Sequence, residues 1–257
     1  MQLDALVEGL PLWVLLPSTL LLALLSVEGG FRFGRHRSHR SPDREGPLAS
    51  MVAATLGLVG FLLAFSFGLA SSRFDARREL FLEEVNAIET TYLRAQLLPE
   101  PERTETRDLL RQYVDIRIEA VRPEDIPRAI LQSVSLHDAL WSLAVAANDK
   151  TSSPVFGLFI QSLNDVINLH SKRVVAGLRS RIPSIIWLVL YSTVALAMLL
   201  MGYHLGLKNR NRSIAIPAFA LAFSVVLLLI ADLDRPLEGL IKVNQEAIQD
   251  LRRTMKP

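Results

Sequence analysis

The chain has 257 residues, of which 50% are hydrophobic and 21% charged, with a mean hydropathy of +0.30 and a net charge of +2. A soluble protein of this length rarely has positive mean hydropathy, so a soluble enzyme and a disordered chain are both excluded. Cysteine is absent, which removes disulfides, thiolate metal sites and cysteine nucleophiles. The bias of 23 Arg to 5 Lys, with abundant Ala and Leu, fits a GC-rich bacterial genome.

The apolar residues are bunched into four uncharged stretches: Gly9–Val27, Gly46–Ser72, Ile182–Leu207 and Ser213–Ala231. A helix needs about 20 predominantly apolar residues to cross a bilayer. Barrel strands alternate in polarity and these runs do not. The expected fold class is therefore an all-α integral membrane protein, with four transmembrane helices and an extramembrane helical block between the second and third.

The N-terminus carries Asp4 and Glu8 without Lys or Arg, unlike a secretory leader, so the first stretch is expected to be retained. Residues 1–71 then form a hairpin of helices at about 10–27 and 47–71, joined by a basic loop over 28–46 with Arg32, Arg35, Arg37, Arg40 and Arg44. Residues 72–182 form the helical domain, which holds 15 Lys/Arg and 16 Asp/Glu between Ser72 and Pro183. Its prolines mark breaks, and Ser153-Pro154 reads as an N-cap followed by a first-turn proline. Four helices are predicted, at 72–98, 103–122, 124–149 and 154–181. Their apolar stripes are Phe74, Phe81, Val85, Ile88 and Tyr92; Leu109, Leu110, Tyr113, Val114 and Ile118, with Val121 beyond; and Phe156, Ile160, Leu163, Ile167 and His170. Residues 183–231 form a second hairpin (183–206 and 213–231), and 232–257 an amphipathic C-terminal tail. The positive-inside rule does not orient the chain: eight basic residues near one face (the 28–45 loop and the 207–212 turn) oppose nine near the other.

Sites for chemistry are few. The histidines (His36, His39, His137, His170 and His204) form no metal or catalytic motif, and no GxSxG, HExxH or GxGxxG occurs. His36 and His39 read as solvated. The expectation is no catalytic residue, no metal, no cofactor and no nucleic-acid partner, so a membrane enzyme is the least favoured class.

Glu84 adjoins the Phe81–Ile88 stripe. A carboxylate there costs several kcal/mol unless it is paired. It reads either as an ion pair with an arginine of a neighbouring helix, or as part of an ion path or cation site with Asn86, Glu89 or Asn164. Asp232, Asp234 and Arg235 close the fourth stretch, where an Asp–Arg bridge would fix the helix end. In the second stretch, Leu58, Phe61 and Phe65 lie at i, i+3 and i+7, with Leu62 and Leu69 extending that face, and Gly57, Gly60, Ala64, Gly68 and Ala70 among them. Small residues let membrane helices approach closely. The bulky ones are either lipid-facing and packed bulk or, in a symmetric ring, an apolar constriction that gates by dewetting.

Four segments carry a family resemblance: LVGFLLAFSFGLASSRFDARRELFLEEVNAIETTYLRAQLLPE (58–100), FIQSLNDVINLHSKRV (159–174), GYHLGL (202–207) and LIADLDRPLEGLI (229–241). Together they resemble the bacterial bestrophin-like domain family over nearly the whole chain. Bestrophins are pentameric anion channels, and the likeness is clearest where an aromatic-rich helix runs into Arg73-Phe74 and Ala76-Arg77. The resemblance implies a homo-oligomer in the bacterial inner membrane that passes small ions. It implies Phe61 and Phe65 as the neck, with Leu58 or Leu69 as the next layer; Arg73 and Arg77 are candidates for an ion path or for structural ion pairs. The chain is shorter than a bestrophin and lacks the acidic calcium clasp. A non-conducting scaffold or envelope sensor, binding a partner through the helical domain, is the alternative.

Overall fold

The computed structural model describes residues 11–38, 45–120, 122–150, 154–208, 214–236 and 239–255. Asp4, Glu8, His39, Arg40, Arg44, Val121, Ser153, Arg210 and Arg212 lie outside the described residues. The regular structure among the described residues is entirely helical: α1 (Leu12–Ser38), α2 (Glu45–Arg94) with a short 3-10 turn (Ala95–Leu97), α3 (Glu102–Glu119), α4 (Ile126–Lys150), α5 (Pro154–Leu178), α6 (Ser184–Leu207), α7 (Ala215–Asp234) and α8 (Glu246–Thr254). Five of them (α1, α2, α4, α6 and α7) are long and apolar enough to cross a membrane, α4 being the least apolar. The chain divides into two compact units: residues 1–72 with 181–241, and 73–180 with 242–257. The helix itself does not break at Ser72, because α2 runs on to Arg94.

In the first unit α1 lies against α6 and α7. The α1–α6 contact is made by two pairs of glycines. A Cβ on Gly30 would sit 2.0 Å from the Leu199 carbonyl oxygen, and one on Gly34 2.3 Å from that of Tyr203. Reciprocally, a Cβ on Gly202 would meet the Val27 oxygen at 2.0 Å, and one on Gly206 the Phe31 oxygen at 2.3 Å. Partner numbers rise together, so α1 and α6 run parallel. Each helix carries a G-x-x-x-G, the spacing that brings membrane helices into backbone contact.

This contact explains a correction to the expected basic loop at 28–46. Residues 28–38 continue α1 as helix, and Gly29-Gly30 does not end it. A glycine in a helix costs about 1 kcal/mol relative to alanine, but Gly30 and Gly34 face a neighbouring backbone where no side chain fits. Glu28 also pairs with Arg32 one turn on, at 2.7 Å, which supports the same stretch.

The second unit has its own core. Phe81, Ile88, Leu110, Tyr113, Leu140, Phe159, Leu163 and Ile248 belong to one buried cluster. The three predicted stripes supply about half of it, because i, i+3 and i+4 positions share one face of a helix. Glu102 and Glu105 open α3 and Arg117 lies in its last turn, charges that complement the helix dipole. Within the tail, α8 buries Ile248 and Leu251, and Arg252 makes a two-pronged pair with Asp115 of α3 at 2.5 and 3.1 Å.

Candidate functional site

Three places hold the residues singled out by the sequence. The first is the face of α2 that carries Leu58, Phe61 and Phe65. Their exposures are 50%, 66% and 61%, while Leu69 is half-buried and Val59, Leu63, Ser66 and Ala70 of the same helix are buried. A Cβ added at Gly57, Gly60 or Gly68 would meet nothing within 4 Å, so among the described residues no helix packs closely against these glycines. The helix thus presents bulky aromatics and small residues outward, an apolar surface left uncovered among the described residues.

The second place is a polar centre inside the second unit. Glu84 on α2 is fully buried. Tyr113 of α3 donates its hydroxyl proton to Glu84 Oε1 at 2.6 Å. Arg173 of α5 forms a charge-assisted hydrogen bond to Oε2, and Arg117, one turn beyond Tyr113, reaches the same oxygen at 3.8 Å. His170, one turn before Arg173, places Nδ1 3.1 Å from the Tyr113 hydroxyl oxygen. That oxygen has already given its proton to Glu84, so the neutral imidazole carries its proton on Nδ1 and donates. His137 of α4 closes the cluster, its ring 5.0 Å from Tyr113 and 4.9 Å from His170. Four helices therefore converge on one carboxylate.

The electrostatics follow from this packing. Burial alone would raise the Glu84 pKa, but Arg173, Arg117 and the Tyr113 hydrogen bond outweigh it and hold the carboxyl below its usual range. Burial and the adjacent carboxylate push the Tyr113 phenol well up. Burial, reinforced by the Arg117 guanidinium, pushes the His170 imidazole down to about 4. The centre thus holds one carboxylate, two guanidinium ions and two imidazoles, His170 staying neutral at pH 7. Asn86, Glu89 and Asn164 are exposed; the partners of Glu84 are cations and a phenol. Arg77 is buried and Arg73 half-buried.

The third place is the end of α7. Asp232, Asp234 and Arg235 are all buried. Asp234 accepts the Ile182 N–H at 2.9 and 3.1 Å, two residues ahead of α6. Asp232 accepts the N–H groups of Leu240 and Ile241 at 2.6 and 3.0 Å. Each aspartate satisfies backbone donors that burial would otherwise leave costly, and so fixes the chain on either side of Pro236.

Sequence reasoning missed Tyr113, Arg117 and Arg173 as partners of Glu84, the His137 ring beside Tyr113, and the paired glycines. Spacing showed only that Tyr113 and Arg117 (i, i+4) and His170 and Arg173 (i, i+3) each share a helix face, and that both G-x-x-x-G motifs are intact. Among the described residues, no group of three or more His, Asp or Glu is placed to hold a metal ion.

A family model described as Bestrophin-like domain matches residues 19–248. The chain belongs to the Bestrophin-like domain family. Solved structures similar to this Bestrophin-like chain include a leucine-to-threonine variant of a bacterial bestrophin homologue from Klebsiella pneumoniae, 15% identical, covering 95% of this chain and 97% of that one, with a TM-score of 0.66. A tyrosine-to-alanine variant of a bestrophin homologue from the same organism is 16% identical over 92% of this chain and 96% of that one, with a TM-score of 0.67. A structure described as a membrane protein is 16% identical over 91% of this chain and 96% of that one, with a TM-score of 0.65. At these identities the likeness shows the fold: this is a bestrophin-like fold over essentially the whole chain. No curated protein matches. The apolar helices and the membrane-protein relatives support a membrane location.

Proposed function

We propose that this Bestrophin-like chain is the subunit of a homo-oligomeric channel that passes small anions passively. The neck of the pore is the face of α2 bearing Leu58, Phe61 and Phe65, with Leu69 at its inner edge. The observation that carries the reading is the exposure of Phe61 and Phe65, at 66% and 61%, on a helix whose Gly57, Gly60 and Gly68 meet nothing close among the described residues. Family membership supports a ring, a pentamer by resemblance to bestrophins, and closed cyclic symmetry puts the same face of every copy on one axis. A ring of phenylalanines makes an apolar constriction that dewets when narrow. Arg73 and Arg77, one to two turns beyond Leu69, favour anions at its end.

The spanning helices are α1, the first part of α2, α6 and α7, with the unit built on Glu84 outside the bilayer. The direction of α1 and α6 supports this count. With four spans, the first and third cross the same way. A fifth crossing by α4 would reverse α6 and make it antiparallel to α1, whereas the glycine contacts run parallel. Burial of Ser133, His137, Leu140, Ala144 and Ala147 on α4 also suits a domain helix. The compartment is a bacterial inner membrane.

The test is imaging of the purified oligomer together with planar-bilayer recording. The reading expects a closed ring with α2 on its axis, anion-selective currents, and larger conductance in Phe65→Ala. A monomer, or a ring with α2 turned toward lipid and no current, contradicts it and leaves a partner-binding scaffold.

A further inference from the structure

We infer that the shared end of α1 and α6 is a docking surface for the anionic head groups of membrane phospholipids, carried by Arg35 and Arg37 of α1 and Lys208 just past α6. The inference rests on the crossing of the membrane by these two helices, as proposed above, and not on conduction.

The surface is basic and open. Residues 28–45 and 207–212 together hold eight Lys/Arg against three Asp/Glu. Arg35, Arg37 and Lys208 are exposed, and among the described residues none of the three has an acidic partner. Arg32 is exposed as well, but Glu28 holds it at 2.7 Å. The glycine contacts fix the level of these charges: Gly34 lies against the backbone of Tyr203 and Leu207, so Arg35 and Lys208 belong to the same end of the helix pair. Unpaired cations bordering a membrane helix attract anionic lipid.

The depth selects a lipid over a soluble anion. From Leu12 to Arg32, α1 rises about 30 Å, the thickness of the hydrocarbon core, and α6 covers the same length from Ser184 to His204. The residues that follow on both helices enter the head-group layer together. Phe33 is 59% exposed, and its ring packs against Tyr203 at 5.7 Å. Trp13, 79% exposed, stands near the opposite end of α1. Tyrosine and tryptophan are enriched at the two borders of a bilayer, and the free cations lie within one turn of Phe33. A nucleic acid or a soluble acidic protein would leave that exposed ring in water, whereas a phospholipid covers it with its glycerol and upper acyl chain and sets its phosphate among the cations.

The test uses full-length protein reconstituted in phosphatidylcholine vesicles with a trace of spin-labelled phosphatidylglycerol or spin-labelled phosphatidylcholine. The spectrum separates lipid slowed at the protein surface from free lipid and gives the relative association of each. Wild type should favour phosphatidylglycerol severalfold at low salt, and salt at about 0.5 M should screen most of that preference. The triple variant Arg35→Gln, Arg37→Gln, Lys208→Gln should lose most of it, since a cation at an anionic surface is worth up to about fivefold. Arg35→Lys with Arg37→Lys should keep it, because the attraction depends on charge. Arg122→Gln with Arg128→Gln and Arg253→Gln, at exposed positions of the second unit, should leave it unchanged. Equal association of the two lipids with wild type, or a triple variant that behaves as wild type, overturns the assignment. So does inorganic phosphate that abolishes the preference at an ionic strength where chloride does not, which would make this a site for free phosphate. The slowed phosphatidylcholine shell reports the crossing itself: a lost preference with the shell intact counts against the docking surface alone, and a missing shell counts against the crossing on which it stands.

Discussion

The hydroxyl of Tyr113 donates to Oε1 of Glu84 at 2.6 Å, and neither residue is exposed to solvent. Glu84 pairs with two guanidinium groups, Arg117 and Arg173, and removing its charge strips both of that carboxylate. Glu84→Gln is expected to destabilise the protein by about 3–5 kcal/mol, the usual cost of breaking a buried pair from one side. Tyr113→Phe removes one hydrogen bond and should cost about 1–3 kcal/mol. Denaturation of both single variants and the double variant measures this: the double variant should cost less than the sum, because the two groups share one interaction.

His170 gives the stability of the second unit a pH dependence. Its folded pKa is about 4, below the ordinary value near 6.5, so the folded state stays neutral where the unfolded imidazole takes up a proton. Between about pH 6.5 and 4 the unfolded state binds more protons, and stability falls as pH falls through that window. Above it the contribution is fully retained. The groups facing the ring act with it: Tyr113 and Arg117 from α3, His137 from α4, Arg173 on α5 and Glu84 from α2. Glu84, with its own lowered pKa, extends the loss in the same direction at more acid pH. A loss of about 1–3 kcal/mol between pH 7 and pH 4 is expected from His170. Melting curves across that range check it, and His170→Phe should flatten the slope above pH 4.5.

The paired glycines make a sharper prediction in the first unit. Gly30→Ala or Gly202→Ala would place a methyl 2.0 Å from a carbonyl oxygen, and a backbone oxygen cannot swing aside as a side chain does. Each should cost about 3 kcal/mol or more through separation of α1 from α6. Gly57→Ala and Gly60→Ala, which meet nothing, should leave the folded subunit intact. Recovery of monodisperse protein and its melting temperature in detergent distinguish the two pairs.

Much of this architecture was legible in the residues. The four uncharged stretches each overlap a long apolar helix, and the prolines at 99, 101, 123, 127 and 154 lie at or near helix ends, because proline lacks the N–H that a helix interior needs. Polarity misled at two points. Arginines after Val27 suggested a loop, yet long charged side chains sit comfortably on an exposed helical face, and of the Gly29-Gly30 pair that reads locally as a break, Gly30 is required by the backbone of Leu199, far along the chain. Ser72 looked like an end because charges begin there, although nothing in Arg73–Arg78 opposes helix. Glu84 could be recognised as a carboxylate in need of a partner, but which arginine serves it depends on how α3 and α5 pack, and no local spacing encodes that. The outward direction of Phe61 and Phe65 was likewise a matter of which side of α2 the rest of the subunit covers.

The measurement that reaches the central claim most directly uses the absence of cysteine. Phe65→Cys supplies one thiol per subunit, and a charged, membrane-impermeant thiol reagent is applied while current is recorded in a planar bilayer. If α2 lines a shared pore, modification at residue 65 sharply changes the anion current, and Leu196→Cys, exposed on α6, gives no such change. Currents that persist unaltered after a reaction verified by mass, or a residue 65 that only lipid-soluble reagents reach, would contradict it.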